Sequence, residues 1–446
     1  MATGGGEFGK VAGSDETVSS GYDLFANPPT LSSSLSGQLT EFSPTTAVTA
    51  NGPVEIVVPA LSGQYLDMAN SYLRVQMKVT AANGNALSDT AGQVPVQPGE
   101  LMAHSIFKTV ELFVNDRLLE FASDYPYKAF VEVLTSTDGY TRKKKHKMLD
   151  GWYEDANSGK DGDALNADAT ASRKADITSS KTLDYSTKLR LGFLNQERML
   201  LPGCSLKFRF TRSPDGFCLM AADNTPTSVV RLTKCTFMAR LVQANPAILS
   251  AHNRNLLEGH EAVYPMRRAV TATYTVPPGT RSESRTIQVG GQCPERLFVG
   301  LVAHDGVNGT YNHNPFAFKN FGVSKMELVR NGQTVGAPYE PVFASGLYAR
   351  EYYEFLSALH RDTRDVSTIS PDQYAEGGRT IYAFDLRSDK EDGQHLIKNA
   401  SLTLKLSFAA DTTETLSLVL YSERADTIGF DFDRNFTHTG DTLVHS

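Results

Sequence analysis

The 446-residue chain has no hydrophobic run long enough to cross a membrane as a helix, which takes about 20 apolar residues. Its first 20 residues are rich in Gly, Ser and Thr and contain no apolar core of the kind that a secretory signal has. We therefore expect neither a membrane-spanning segment nor a signal. We interpret this N-terminal stretch as a flexible arm.

Cysteine is scarce as well. Four cysteines are present, at Cys204, Cys218, Cys235 and Cys293, and no two of them form a CxxC pair. The ten histidines are scattered without the spacing of zinc ligands. Three of the cysteines lie in apolar, strand-like segments, where a free thiol packs as a small hydrophobic side chain. This pattern predicts buried free thiols, which suit assembly in a reducing compartment.

Catalytic signatures are missing, because the sequence contains no GxSxG, no HExxH and no Walker loop. His304, Asp305 and His313 flank a Gly/Asn-rich loop and could suggest a metal or acid–base site, but polar loop residues are the favoured interpretation. Gly290 and Gly291 are better explained as a turn at a strand end than as a phosphate cradle. We therefore expect no enzyme activity, no cofactor and no metal.

The balance of charge is mildly acidic. The formal net charge is -7 and the pI about 5.8, whereas proteins that wrap nucleic acid are strongly basic. The strongest local charge is the run Arg142–Lys147 (RKKKHK). A solvated loop is the favoured interpretation of this run, and contact with phosphates or an acidic neighbour is the alternative. We expect no sequence-specific binding of nucleic acid.

Most of the chain has the pattern of β-structure. In Tyr72–Thr80, the apolar residues Leu73, Val75, Met77 and Val79 alternate with polar ones, as in a half-buried strand. Further strands are predicted at Val54–Pro59, Phe107–Val114, Leu189–Phe193, Ser205–Phe210, Val229–Leu241, Thr271–Val276, Ser284–Val289, Leu297–Val302, Ser324–Val329, Thr380–Leu386, Ser401–Phe408 and Thr415–Tyr421. Many short strands between turn signals favour a sandwich or a barrel.

Short helices are expected in three places. Tyr125–Leu134 begins after Asp124, a plausible N-cap, and carries Pro126 in its first turn. Tyr348–Leu359 is the second. Part of the polar segment Gln243–His260 (PAILSAHNRNLL) can also be helical, and this segment is predicted to carry the chain from one half to the other.

Two long polar stretches separate predicted strands. Ala81–Glu100 is rich in Gly, Asn and Pro, and Asp155–Lys181 is rich in Gly, Asp, Ala and Ser. We interpret Ala81–Glu100 as a loop and Asp155–Lys181 as an exposed excursion between two strands, outside the core.

The two halves of the sequence resemble each other. Val110–Leu119 (VELFVNDRLL) aligns with Met326–Val335 (MELVRNGQTV), and each is followed by a Tyr-rich helix. Cys204–Phe210 (CSLKFRF) aligns with Ala400–Leu406 (ASLTLKL). The offset is 216 residues at the first pair (326 − 110) and 196 at the second (400 − 204). The first half therefore carries 20 extra residues (216 − 196), which we place in Asp155–Lys181.

This alignment registers Asn115 with Asn331 and Ser205 with Ser401. Chance similarity between β-sequences is the alternative explanation. Each copy has about eight short strands with long cross-connections, which is the jelly-roll pattern. We therefore predict an all-β fold of two tandem eight-stranded jelly rolls with short helices in the connections. The expected units are an arm at 1–36, a first jelly roll at 37–245, a connection at 246–260, a second jelly roll at 261–435 and a C-terminal tail at 436–446.

Five segments also resemble a known group of proteins. They are YDLFANPP (Tyr22–Pro29), VELFVNDRLLEFASDYPYKAFVEVL (Val110–Leu134), RFTRSPDGFCLM (Arg209–Met220), NGTYNHNPFAFKNF (Asn308–Phe321) and LYAREYYEFL (Leu347–Leu356). They are similar to proteins carried by Maverick/Polinton-type elements and related DNA viruses. The resemblance runs from about Tyr22 to the last strand.

The resemblance implies a double jelly-roll major capsid protein, which is a structural protein of the virion of a DNA virus. In such proteins three chains form a homotrimer, a capsomer of six jelly rolls with a pseudo-hexagonal outline, and these trimers tile an icosahedral shell. The implied partners are other copies of the chain, neighbouring capsomers, and penton or minor shell proteins, and an internal membrane is left open. The implied location is the virion capsid, after synthesis and assembly inside the host cell.

The arm carries an apolar patch of Tyr22, Leu24 and Phe25, which Pro28 and Pro29 hold on an extended path. In a capsid, this patch is predicted to tie neighbouring subunits together. Packing of the patch against its own domain is an equally weighted alternative.

Other functions remain open because a jelly roll serves several roles. A minor capsid protein is one, and a receptor- or carbohydrate-binding protein is another. A carbohydrate site would need clustered exposed aromatic residues, and the candidate is the loop His304–Asn314, with Tyr311 alone. A cupin-type enzyme would need a His-rich constellation on internal strands, which the sequence does not show.

Overall fold

The computed structural model describes residues 22, 24–25, 27, 30–48, 52–155, 157–161, 167–225, 228–287, 292–361, 369–390 and 399–438. Within these residues, no helix combines the length and the apolar character that crossing a membrane requires. Strands dominate, and all their pairings within the named sheets are antiparallel.

The first half of the chain forms two four-stranded sheets. Sheet 1A has the strand order β1-β10-β3-β7, sheet 1B has the order β2-β8-β5-β6, and the short strands β4 and β9 pair separately. The bounds are β1 Ser34–Phe42, β2 Val54–Val58, β3 Gln64–Ala81, β4 Gln97–Pro98, β5 Phe107–Val114, β6 Arg117–Ala122, β7 Leu183–Thr187, β8 Leu206–Arg212, β9 Leu219–Met220 and β10 Ser228–Ala244.

The second half forms two more sheets. Sheet 2A has the order β11-β18-β13-β16, with β19 added beside β18, and sheet 2B has the order β12-β17-β14-β15. The bounds are β11 Ala262–Val276, β12 Ser282–Ile287, β13 Arg296–Ala303, β14 Val323–Arg330, β15 Gln333–Thr334, β16 Ile381–Asp385, β17 Leu402–Phe408, β18 Leu416–Phe430 and β19 Phe436–His438.

The two halves have the same connectivity. When the short extra strands β4, β9 and β19 are set aside, each half has eight strands in the sheet orders 1-8-3-6 and 2-7-4-5, counted along the chain. This pairing of early with late strands across two sheets is the jelly-roll topology. The predicted fold, a double jelly roll, is confirmed.

Helices occupy the connections. Their bounds are α1 Met102–Ser105, α2 Tyr125–Ser136, α3 Gly139–Thr141, α4 Lys147–Asp150, α5 Ala167–Ile177, α6 Asp215–Cys218, α7 Pro246–Leu257, α8 His304–Asn308, α9 Ala349–Ala358 and α10 Pro371–Ala375. A π-helical turn spans Arg142–His146, and 3₁₀ turns span Ala91–Gln93, Thr178–Ser180, Gly192–Asn195 and Phe343–Ser345. The three predicted helices are present as α2, α7 and α9.

The register that the sequence suggested corresponds to a repeated contact. Asn115 and Asn331 both adopt a positive φ, of 48° and 51°, after strands β5 and β14. The side-chain oxygen of Asn115 accepts a hydrogen bond from the Ser205 amide at 2.8 Å, and that of Asn331 accepts one from the Ser401 amide at 2.9 Å. An Asn–Ser pair therefore makes the same contact at the same turn in each jelly roll, which supports duplication over chance.

One predicted strand is absent from the structure, and one observed strand was not predicted. Leu189–Phe193 is not a strand, and the strand at this point is β7. The amide groups of Gly192 and Phe193 donate to the carboxylate of Glu120 at 3.0 and 3.3 Å, so a side chain takes the role of a neighbouring strand. Strand β1 was missed because its sequence, SLSGQLTEF, is largely polar, and its residues are exposed or half-buried.

The cap predicted for α2 is also wrong. Asp124 occupies the N-cap position, but its φ is 47° and its side chain makes no capping hydrogen bond. Its Oδ2 atom instead accepts a hydrogen bond from the Thr273 hydroxyl on β11 at 2.9 Å. Asp124 therefore connects the two halves of the chain.

The prediction that Asp155–Lys181 is an exposed excursion is wrong for its described residues. Helix α5 buries Ala169, Arg173 and Ile177, which are four residues apart and so share one face of the helix. Ser158 and Asp161 are buried as well. The polar composition concealed this burial because a charged residue stands in the middle of the buried face.

The cysteine prediction holds. Cys204, Cys218 and Cys235 are free and buried, and Cys293 is half-buried. Burial raises the pKa of the three buried thiols to about 12, which keeps them protonated and unreactive.

Candidate assembly interfaces

The contact between the two halves, which we call the joint, is continuous with the core of the first jelly roll. Sheet 2A is the element that the joint buries. On β13, Leu297, Val299 and Leu301 belong to the core of the second jelly roll. The alternate residues Phe298 and Val302 belong instead to the cluster that contains the first core. Strand β13 is therefore buried on both faces, as strand alternation allows.

Helix α2 lies on one part of the outer face of sheet 2A, and α9 of the second half covers another. The ring of Phe130 stacks on Trp152 and on Phe316, with centroids 5.2 and 4.9 Å apart. Tyr127 meets Phe316 and Phe318 edge-on at 5.6 and 6.1 Å. Aromatic pairs of this geometry add to the energy of burial, so this cluster holds α2 against the second half.

A buried ionic group crosses the joint. The carboxylate of Glu100 accepts from Arg173 Nη2 at 2.5 Å and lies 3.8 Å from Arg379 Nη2 of the second half. Arg379 also donates to Ser158 Oγ at 3.0 Å, and Glu100 accepts the Tyr153 amide at 2.9 Å. Burial lowers the pKa of the Arg379 guanidinium. A single carboxylate therefore faces two buried cations, one from each half.

Glycines mark the places where the two backbones meet. A Cβ atom on Gly192 would overlap the carbonyl oxygen of Arg267, and one on Gly216 would overlap that of Gly309. A Cβ atom on Gly159 would overlap the carbonyl oxygen of Gly377 in the same way. In each case the first half contributes a glycine where a larger residue would separate the two halves.

The basic run belongs partly to this packing. Arg142 is buried and donates to the carboxylate of Glu154 through Nε at 2.9 Å and Nη2 at 3.1 Å. His146 is buried and pairs with Asp150. The solvated-loop interpretation is wrong for these two buried residues. Lys143–Lys145 are exposed, as that interpretation expected, but they lie on the π-helical turn and not in a loop.

Sheet 1A has no such cover. Strand β1 is exposed along most of its length, and Leu35 and Leu39 are 59% and 44% exposed. The outer face of the sheet also carries exposed ion pairs. Arg74 meets Asp184 at 2.8 Å, and all of these side chains are more than a third exposed. The equivalent strand of the second jelly roll, β11, is covered by the 3₁₀ turn Gly192–Asn195 and by α2.

The arm residues singled out from the sequence, Tyr22, Leu24 and Phe25, are 80%, 77% and 98% exposed. Of the residues suggested for other chemistry, His304 and His313 are half-buried and Asp305 is exposed. His304 Nδ1 is 2.8 Å from Ser417 Oγ, and Gly290 and Gly291 lie outside the described residues. Among the residues that the structure describes, no three His, Cys, Asp or Glu side chains are grouped as metal ligands.

Tyr311, the aromatic residue considered for carbohydrate binding, is buried in the joint. Its hydroxyl donates to the carbonyl of Ser228 at 3.1 Å, and its amide donates to Asn224 Oδ1 at 2.9 Å. Its ring is therefore not available as a platform for a sugar.

No family model matches the chain. An uncharacterised protein of Caenorhabditis elegans is 24% identical over 403 residues, which is 87% of this chain and 94% of that protein. The other similarities found are structural.

Three solved structures have the same fold along almost the whole chain. A chain of the Sputnik virophage matches with a TM-score of 0.61 at 12% identity and covers 96% of this chain and 94% of its own. A chain of the PBCV-1 virus capsid matches at 0.57 and 10% identity, over 94% and 100%. The mavirus major capsid protein matches at 0.53 and 12% identity, over 99% of both chains. At such identities the likeness establishes the double jelly-roll fold.

Proposed function

We propose that this protein is the building block of an icosahedral viral shell, in which three chains form a trimer of six jelly rolls. The observation that carries the proposal is the contrast between two equivalent sheets. Sheet 2A is covered by helix α2 of the first jelly roll and by α9, whereas sheet 1A leaves its outer face open. The similarity to the PBCV-1 capsid and to the mavirus major capsid protein supports the same role.

The argument from the joint to a trimer is one of symmetry. The joint is a head-to-tail contact, because different surfaces of two similar units meet in it. Such contacts generate a ring when the rotation closes. If the second jelly roll of one chain covers sheet 1A of the next, as the first covers sheet 2A, three chains close a ring of six units.

The proposal includes the following boundaries and partners. The jelly rolls are taken as 37–245 and 261–435, linked by 246–260, with an arm at 1–36 and a tail at 436–446. Strand β1 begins inside the arm range, at Ser34, and β19 (Phe436–His438) lies inside the tail range. The partners are neighbouring trimers and penton or minor shell proteins, and an internal membrane remains open. The location is the virion capsid, following assembly inside the host cell.

Light scattering after size exclusion tests the trimer. We expect a mass three times the 48.7 kDa of one chain and a hexagonal outline in negative stain. The double variant Leu35→Glu/Leu39→Glu should convert trimers to folded monomers, because both side chains are exposed on the open sheet. Met148→Glu, at a 72% exposed apolar residue on α4, is the matched control and should remain trimeric. A monomeric wild type would refute the proposal.

A second experiment addresses the arm. Deletion of residues 1–30 should leave trimers folded and lower the yield of shells, because the apolar residues of the arm are predicted to act between subunits. Unchanged shell assembly would exclude this role.

A further inference from the structure

An apolar cleft of about 590 Å³ opens between helix α7 and the start of β11. Its apolar lining includes Tyr65, Met199, Leu201, Ile248, Leu256 and Val263. Met199 and Val263 are 37% and 42% exposed. A concave apolar surface with a few polar groups at its rim has the character of a binding site.

The arm enters the described fold at this cleft. Ser33 and Ser34 line its edge, and Ser34 is the first residue of β1. The Asn245 amide donates to the carbonyl of Ser33 at 2.9 Å, which fixes the chain there. Four large apolar side chains precede this point and are exposed: Tyr22, Leu24, Phe25 and Leu31. An exposed apolar segment and an exposed apolar cleft therefore lie next to each other along the chain.

The path of the arm favours the cleft of another copy. Phe25 lies eight residues before Ser33 (33 − 25), and an extended stretch of this length reaches roughly 26 Å. Pro28 and Pro29 stand in its middle, and this sequence predicts an extended path. Because Ser33 is already at the rim, such a stretch carries Phe25 away from its own cleft.

We propose that Leu24 and Phe25 of one copy insert into the α7–β11 cleft of a neighbouring copy. The inference rests on the proposed shell function and specifies which surface receives the arm. Tyr65 forms one wall, where its hydroxyl lies 2.8 Å from His252 Nδ1, so the wall is held by a hydrogen bond to α7. Rings of the size of Phe25 bury roughly 150–250 Å² each, which gives a short segment a sufficient anchor.

Disulfide trapping between two different chains tests the proposal. Full-length Phe25→Cys and Val263→Cys chains, both carrying Cys293→Ser, are mixed, assembled and oxidised, and then run on a non-reducing gel. The three remaining cysteines are buried with raised pKa values and do not interfere. We expect a covalent dimer as the main oxidised product, because a bond between these variants can form only between copies.

The matched control replaces Val263→Cys with Met148→Cys, whose position is more exposed but lies outside the cleft. Dimer formation at least tenfold below the test pair is expected. Equal cross-linking in both pairs would overturn the proposal.

A chain that carries both Phe25→Cys and Val263→Cys distinguishes the two possible sources of the arm. A single chain with an internal disulfide, seen as a faster band that reductant abolishes, means that the arm fills its own cleft, and this overturns the proposal. Light scattering of the same samples separates this failure from failure of the shell function. Trimers without the cross-link refute only the arm, whereas monomers refute the proposed function.

Discussion

Sheets 1A and 2A have the same strand order but opposite surroundings. On β3, Leu73, Val75, Met77 and Val79 face the core and polar residues face outwards. On β13, every residue after Arg296 is buried. Duplicated sheets thus diverged by changing one face only, because alternate residues of a strand can vary independently. The outer face of β13 is apolar where the other half covers it, and that of β3 is polar where the chain leaves it open.

Removal of Glu100 from the joint should lower the free energy of unfolding more than any other substitution considered. Glu100→Ala leaves Arg173 and Arg379 buried without their carboxylate, which typically costs about 3–5 kcal/mol of unfolding free energy. Urea unfolding followed by fluorescence is a direct measurement, because Trp152 is the only tryptophan and stacks in the joint. Glu100→Gln keeps the size and should also destabilise; an unchanged midpoint in both variants would contradict a structural role for this ionic group.

Substitution of Gly192, at the joint, should cause the second-largest loss of stability. Gly192→Ala forces a Cβ atom against the Arg267 carbonyl, and overpacking of this kind costs about 1–3 kcal/mol. Gly92→Ala is the control, because its Cβ atom would meet nothing within 4 Å. Thermal unfolding of the two variants should differ by several degrees. Equal stabilities would mean that the two backbones are not held together at Gly192.

The third prediction concerns pH. Burial raises the pKa of Glu132, on α2 beside Tyr421 of β18, from its usual 4.5 to about 7. The folded state then holds a proton that the unfolded state releases, so stability should fall as pH rises from about 4.5 through about 7. Glu132→Gln should remove this loss, which amounts to up to about 3 kcal/mol at pH 8. A pH profile of unfolding that is identical in the variant and the wild type would exclude Glu132 as its source.

The smallest loss of stability is expected when an ion pair on the open sheet 1A is removed. Arg74→Ala removes an ion pair with Asp184, and exposed pairs contribute about 0.2–1 kcal/mol. The pKa of Asp184 is lowered chiefly by its hydrogen bond from Arg74, so the small loss should appear above pH 4 and shrink in acid. If Arg74→Ala instead destabilises the isolated chain as much as Glu100→Ala does, the contrast between the two sheets fails.

The sequence contains the periodic parts of this fold. Alternation predicted most strands, and the helix expected within Gln243–His260 appears as Pro246–Leu257. The pairing of Asn115 with Ser205 repeats at Asn331 and Ser401, so two short blocks sufficed to register the halves. The continuous apolar run of β13 (RLFVGLVA) also carries the signal of a strand buried on both faces.

The sequence conceals the charged parts of the joint. Arg142 and Arg173 stand in polar segments, and their burial depends on partners such as Glu100, which is 73 residues from Arg173. No local pattern distinguishes such an arginine from a solvated one. Leu189–Phe193 failed for a similar reason, because Glu120 replaced the neighbouring strand. The alternation of apolar and polar residues on β3 was enough to infer an open face on sheet 1A. It does not indicate which surface of another chain would cover that face.

The glycines at the joint bear on how such chains evolve. Gly192, Gly216 and Gly159 each fit a backbone atom of the other half, so neither half can change there alone. Recombination between related genes that joins the first jelly roll of one to the second of another would bring unmatched surfaces together. Viable exchange should therefore favour whole genes, and the two jelly rolls are expected to descend together even where their sequences have diverged.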